Sequence, residues 1–242
     1  GELHPVNFLQ AKNDLESQIA THLENQLLKI YQDLSKVIQN DYSNVSIGQR
    51  RLKYLCLSYL SQIEKYEHLV KEALVKAQTM TDLFSAFSIA VDLSKDLRNF
   101  AIQYFYEKWQ HDSLVMNKWF SVQASSLHQD TFETVSQLWS HKDFNKQNPN
   151  KVYSLLRNFG INLIRFNDQP EKTYTFLAGK VLELDAINPQ VATRVASSFN
   201  VVKQLPKTHQ KLAQIELTKL AQNKLSANTY EIVSKCLESL SN

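Results

Sequence analysis

A hydrolytic zinc site carried on a helix needs two imidazoles one turn apart with a glutamate beside the first, since only that spacing turns both rings toward one metal. The seven histidines are His4, His22, His68, His111, His128, His141 and His209, and the closest two, His128 and His141, stand far beyond one turn. His22-Leu23-Glu24 reproduces only the opening of such a motif. Isolated cap or surface histidines are the reading these spacings support. Nucleophile elbows and phosphate loops demand glycines at fixed offsets, and Gly1, Gly48, Gly160 and Gly179 satisfy neither G-x-S-x-G nor G-x-x-x-x-G-K. Cys56 and Cys236 have no paired spacing and sit inside apolar helical stretches, as core residues do. The residues therefore assign no catalytic group and no metal ligand. Two unpaired cysteines also fit a reducing compartment, so a cytoplasmic setting is expected.

The elements that would have to position any site are helical. Four glycines and five prolines in 242 residues are too few for the hairpins of a sandwich or barrel. Apolar residues recur at three- and four-residue steps, separated by short polar connections. This pattern predicts about eleven or twelve helices. Leu15, Ile19, Leu23, Leu27, Ile30, Leu34 and Val37 mark one long amphipathic helix, ending at the polar stretch 39–46. Ser46 and Gln49 offer a capping box for a helix from Arg50 to about Tyr66. The spacing predicts further helices over 68–78, 82–91, 96–110, 114–125, 132–140, 149–159, 172–185, 189–202, 208–222 and 228–240.

Two start signals repeat. Asn148-Pro149-Asn150 and Asn188-Pro189-Gln190 each set an N-cap side chain before a proline at the first helical position, and Phe159 and Phe199 follow at equal offsets. Their separation of about 40 residues is that of HEAT and armadillo repeats, which stack helical hairpins into arrays. A chance echo between two well-capped helices is the alternative. Earlier segments keep no fixed period, so the expected architecture is an all-α, irregular HEAT/armadillo-like superhelix of antiparallel pairs, with 1–242 as a single helical domain.

Basic and acidic residues, 27 and 24, are spread along the chain, which is a solvated surface and not a nucleic-acid footprint. Tyr104, Phe105, Tyr106, Trp109, Trp119, Phe120 and Trp139 have helical spacing and weak basic flanks, so they read as packing residues and not as a base-stacking platform. No run of about 18 apolar residues offers a membrane span. Neither nucleic acid nor membrane is expected as a partner.

Several stretches together resemble the carboxy-terminal domain of the bacterial aminopeptidase N family, zinc-dependent M1 alanyl aminopeptidases. They are the block from His111 to Phe120 (HDSLVMNKWF) with Gln123-Ala124-Ser125, Asn148-Pro149-Asn150 leading to Ser154-Leu155, Asn188-Pro189-Gln190-Val191-Ala192-Thr193-Arg194, Met80-Thr81-Asp82 and the run Arg51 to Leu57. They keep the family's order and similar separations, from about His4-Pro5 to the end. The resemblance implies a noncatalytic tail, inert alone, of a larger enzyme that removes N-terminal amino acids from peptides. Zinc and the catalytic residues would lie in an upstream domain, the tail's partner, and this fragment would hold no cofactor. A helical superhelix would cover the zinc site and control peptide access.

Arg194 matches a family arginine that points into that chamber, where a guanidinium can hold a peptide carboxylate or a main-chain carbonyl. The other Asn-Pro helix often carries two basic residues in the family, where this chain has Lys151 and Tyr153. Lys151 keeps the charge, and Tyr153 offers a hydroxyl. Arg194, Lys151 and Tyr153 are therefore the candidate peptide-binding residues. The alternative is a stand-alone HEAT-like scaffold that binds a protein partner on its concave face.

Overall fold

The computed structural model describes residues 2–37 and 43–241, without the Val37 side chain, and among them there are helices and connections but no strand. They are α1 (Pro5–His22), α2 (Glu24–Val37), α3 (Asn44–Leu60), α4 (Glu67–Val75), α5 (Met80–Ala90), α6 (Lys95–Trp109), α7 (Ser113–Ser125), α8 (Thr131–Leu138), α9 (Pro149–Val152), α10 (Asn158–Ile161), α11 (Pro170–Asp185), α12 (Pro189–Ala196), α13 (Lys207–Ala221) and α14 (Ala227–Ser241). Short 3-10 segments cover Glu64–Tyr66 and Ser197–Gln204, and a π-helical turn, Tyr153–Arg157, joins α9 to α10. The chain divides into two compact units, one formed by Leu9–Trp109 and one by its amino end together with the residues from Gln110 onward.

In the unit of Leu9–Trp109, α2 packs on α3, α4 on α5, and α5 on α3 and α6. Phe87 of α5 and Phe105 of α6, both fully buried, stack with ring centroids 4.7 Å apart. Each such ring contributes roughly 2–3 kcal/mol by leaving water. Glu24 at the head of α2 accepts from the Tyr66 hydroxyl at 2.7 Å and pairs with Lys65 at 2.6 Å, which fastens the 3-10 turn to α2.

The second unit stacks helical hairpins. Helix α11 packs on α12 and α13, while α14 packs on α12 and α13, so like helices of successive pairs lie side by side. Asn148 and Asn188 cap as their sequence predicts. Asn148 Oδ1 accepts from the amides of Asn150 and Lys151 at 3.0 and 3.4 Å, and Asn188 Oδ1 from those of Gln190 and Val191 at 3.1 and 3.3 Å. The two matching phenylalanines meet in one cluster: Phe166 lies 5.7 Å from Phe159 and 5.6 Å from Phe199, and Tyr174 lies 5.2 Å from Phe166. A backbone bond from Leu3 N to Gln204 O, 2.9 Å, ties the amino end to this unit.

Several helix bounds differ from the sequence expectation for local reasons. The long first helix starts ten residues earlier, at Pro5, and is interrupted at Leu23. The Leu23 amide still reaches Ile19 O at 3.0 Å, while the His22 ring competes for the Gln18 carbonyl at 2.8 Å. The polar connection expected over 39–46 falls partly on residues 38–42, which lie outside the described residues. Helix α3 opens at Asn44, capped by Ser43, whose Oγ accepts from the Ser46 amide at 3.2 Å; Ser46 is already helical and buried, so it is not the cap. The helix expected to run from Pro189 to Val202 is α-helical only to Ala196. There the Ser197 hydroxyl takes the Arg194 carbonyl at 2.8 Å, in competition with the α-helical backbone bond, and a 3-10 segment follows.

Candidate functional site

The π turn is where the second unit departs from regular helix, and it carries one candidate residue at its start. Ser154 Oγ donates to the Asn150 carbonyl at 2.6 Å and Asn158 Nδ2 to the Ser154 carbonyl at 3.1 Å. Side chains that capture these carbonyls allow the wider i to i+5 winding, a local form that recurs at functional sites. Helix α12 packs against this turn. The packing sets the exposed Arg194 guanidinium over the Tyr153 ring, with Cζ 5.5 Å from the centroid. Such a stack holds a cation in place while leaving its donors free.

Arg194 and Tyr153 line one open cavity of about 540 Å³, together with Gln190 of α12 and Asn228, Glu231 and Lys235 of α14. That volume suits a small molecule or a few peptide residues. On the facing wall Glu231 and Lys235, one turn apart, pair at 2.5 Å. This hydrogen bond holds the Glu231 carboxyl below its ordinary range. The Thr193 and Thr229 hydroxyls, 3.1 Å apart, join α12 to α14 beside the cavity.

Lys151 is not brought to this cavity. It is buried, and its ammonium donates to the Ser113 carbonyl at 3.2 Å and to Asn117 Oδ1 at 3.4 Å while standing 5.5 Å from the Phe120 ring centroid. Burial pulls its pKa below the ordinary lysine value, with Asp143 opposing. Arg157, which sequence reasoning did not single out, closes the π turn that Tyr153 opens. Its Nη1 is shut from solvent and has no hydrogen-bond partner. Glu231 and Lys235 were also missed, although an i,i+4 acid-base pair is legible in sequence. Nothing local tells which face of α14 meets Arg194.

The histidines and cysteines stay apart from this cavity. His141 packs 5.3 Å from the Trp119 ring, and His209 Nε2 lies 2.9 Å from the Asn167 carbonyl. Both cysteines are buried and free, and desolvation pushes the Cys236 thiol up to about 11. Among the described residues no three His, Cys, Asp or Glu side chains are placed to hold a metal.

Stacked helical hairpins bearing one cationic cavity define an all-α repeat domain of the armadillo type. The chain belongs to the family described as a domain of unknown function, DUF3458_C, ARM repeats, whose model matches residues 1–238. It is 31% identical over 240 residues to aminopeptidase N of Haemophilus influenzae and 32% identical over 241 residues to aminopeptidase N of Escherichia coli. These matches cover 98% and 97% of this chain but 27% of each relative, so the chain spans about a quarter of their length. Among solved structures, Legionella pneumophila aminopeptidase A in complex with aspartic acid superposes with a TM-score of 0.87 at 26% identity, over 95% of this chain and 28% of that one.

Proposed function

We propose that this chain is the noncatalytic, carboxy-terminal helical cap of an M1-type aminopeptidase that acts in the cytoplasm. The observation that carries the reading is a match along nearly the whole chain to one quarter of aminopeptidase N, combined with an exposed arginine stacked at the mouth of a peptide-sized cavity. In this reading zinc and the hydrolytic residues belong to the remainder of a longer polypeptide. The described residues offer no metal-ligand cluster, so no metal-dependent step is assigned to them. The cap encloses the reaction chamber and admits short peptides while excluding folded chains, and the water it excludes strengthens electrostatics inside. Arg194 holds a peptide carboxylate or carbonyl, steadied by Tyr153. Lys151 has a structural part, its ammonium holding the start of α9 against α7.

The test is the whole polypeptide that carries this chain, assayed for release of N-terminal residues from peptides of two to five residues and from a single-residue amide. Arg194→Ala is expected to impair turnover of the longer peptides about tenfold, the worth of one charge-assisted contact, and to spare the amide. Equal kinetics at every length would remove Arg194 from the peptide path. Failure of the whole polypeptide to release amino acids would remove the peptidase reading.

A further inference from the structure

The unit of Leu9–Trp109 holds a cavity of its own, about 730 Å³, which shares no lining residue with the one beside Arg194. Tyr31, Ser35 and Lys36 of α2 form one wall and Lys53 and Tyr54 of α3 another, while Glu72 of α4, Lys76 and Asp82 of α5 close it. The charges on this lining are not matched one for one. Glu72 is taken by Lys76, one turn away. Asp82 accepts from the Thr79 hydroxyl at 2.6 Å, at the start of α5. Lys36 is exposed and stands 4.0 Å from Asp33. Lys53, half-buried, makes no ion pair or hydrogen bond among the described residues. Its ammonium instead lies over two buried rings, 5.8 Å from the Tyr31 centroid and 5.3 Å from that of Tyr54. Burial draws the Lys53 pKa below the ordinary lysine value, and the Asp82 charge opposes that.

An ammonium drawn out of water without an acceptor costs free energy, which the electron-rich ring faces offset only in part. Its N–H groups remain available to whatever enters the cavity, and a negative charge is what they suit. The rest of the lining narrows the kind of anion. Glu72 and Asp82 repel a dianion about twice as strongly as a monoanion, which disfavours a phosphate. Leu69, Ala73 and Ala77 supply an apolar surface for an organic body. Burial first, and then the charges of Glu72 and Asp82, raise the pKa of Tyr31 and Tyr54 respectively, so both phenols stay protonated. From the unpaired ammonium, the two rings that fix it and the half-apolar cavity it lines, we infer that this cavity binds one small organic monocarboxylate. Lys53 takes up its charge, and its body lies against α4. The site does not rest on the peptide reading of the Arg194 cavity.

The experiment titrates the purified chain with benzoate, with its neutral counterpart benzamide and with inorganic phosphate, following binding by saturation-transfer NMR. The wild type is expected to prefer benzoate over benzamide by about tenfold, the worth of one charge-assisted contact. Lys53→Met keeps the length of the side chain without its charge and should bring that preference below about twofold. Glu72→Gln removes a repelling charge and releases Lys76, so it should tighten benzoate by about threefold and leave benzamide unchanged. Arg194→Ala should leave the preference intact, which separates this cavity from the proposed peptide site. A wild-type chain that binds acid and amide alike, or binds neither, overturns the inference. So does a preference that survives Lys53→Met or disappears in Arg194→Ala. Phosphate that binds as tightly as benzoate and displaces it overturns the monocarboxylate assignment. If Lys53→Met does not fold, Glu72→Gln decides, and benzoate affinity that does not rise there overturns the inference.

Discussion

A methyl group placed on Gly160 would stand 2.1 Å from the Ser198 Oγ and 2.6 Å from its Cβ. Both residues are buried, one in α10 and the other at the start of the 3-10 segment after α12. No glycine-specific dihedral is involved, since the described glycines all have negative φ. The Ser198 side chain, packed directly against the Gly160 backbone, is the reason for the small residue here. Rotation of the Ser198 hydroxyl can relieve the contact with Oγ but not that with Cβ.

Gly160→Ala should therefore destabilise the unit despite alanine's better helix propensity. Overpacking costs about 1–3 kcal/mol, and the propensity gain returns at most about 1 kcal/mol. A second substitution, Ser198→Gly, removes both clashing atoms. Thermal melts should show Gly160→Ala lowered and the double variant recovering relative to Ser198→Gly alone. Additive effects of the two substitutions would mean that the interface shifts to admit the methyl group.

The paired helix starts lend themselves to a second measurement. Asn148 and Asn188 each satisfy two orphan amides at the head of their helices. Replacing either with alanine should cost about 1 kcal/mol, and replacing either with aspartate should cost little, since aspartate accepts the same bonds. Equal losses at the two sites would mark them as equivalent positions of successive repeats, and a loss at one only would not.

How far the sequence could be read follows from the same residues. The caps were legible because asparagine, proline and free amides form a local rule that needs no partner. Helix existence was legible because its period is local. The π turn was not, because its cause is a set of side-chain bonds to carbonyls, Ser154 to Asn150 and Asn158 to Ser154, that serine and asparagine make in many contexts. The start of α3 was placed late because Ser43 and Ser46 are both acceptable caps by type. Among the candidate site residues, Arg194 and Tyr153 line one cavity, while Lys151, two residues before Tyr153, points to the Ser113 carbonyl. Residues two apart on a helix lie on different faces, so sequence neighbourhood was a poor guide to shared contact.

A third prediction concerns acid. Asp185 at the end of α11 accepts from the Ser226 amide at 2.7 Å, the Ser226 hydroxyl at 2.6 Å and the Thr229 hydroxyl at 2.6 Å, so it clasps α11 to the start of α14. Burial alone would raise its pKa, but these donors outweigh it and hold the carboxyl below its ordinary value. A depressed folded value means that the stabilisation is complete above the unfolded value of about 3.9 and fades as pH falls through the folded one. Asp185→Asn should be less stable than the wild type at neutral pH by roughly 2 kcal/mol, with the gap closing below about pH 4. Denaturant melts from pH 7 to pH 3 measure it, and a gap independent of pH would assign the loss to packing.

Asp168 should slope the other way. Its Oδ2 accepts from Arg165 Nη1 at 2.6 Å, but its Oδ1 is buried without a partner. Burial raises its pKa, and the pairing with Arg165 only partly offsets that. A carboxyl whose folded pKa lies above its unfolded value is a cost in its charged form, and the cost is relieved as pH falls through the folded value toward the unfolded one. Asp168→Asn keeps an acceptor for Arg165 and removes the charge, so it should match or exceed wild-type stability at pH 7, and any advantage should shrink toward pH 4. Arg165 is different, because its Nε and Nη2 also hold the Leu127 carbonyl. Arg165→Ala frees that carbonyl and leaves a buried carboxylate alone, which should cost about 3 kcal/mol at pH 7. Combining Arg165→Ala with Asp168→Asn should recover part of that loss, and failure to recover any would place the cost on Leu127 rather than on the stranded charge.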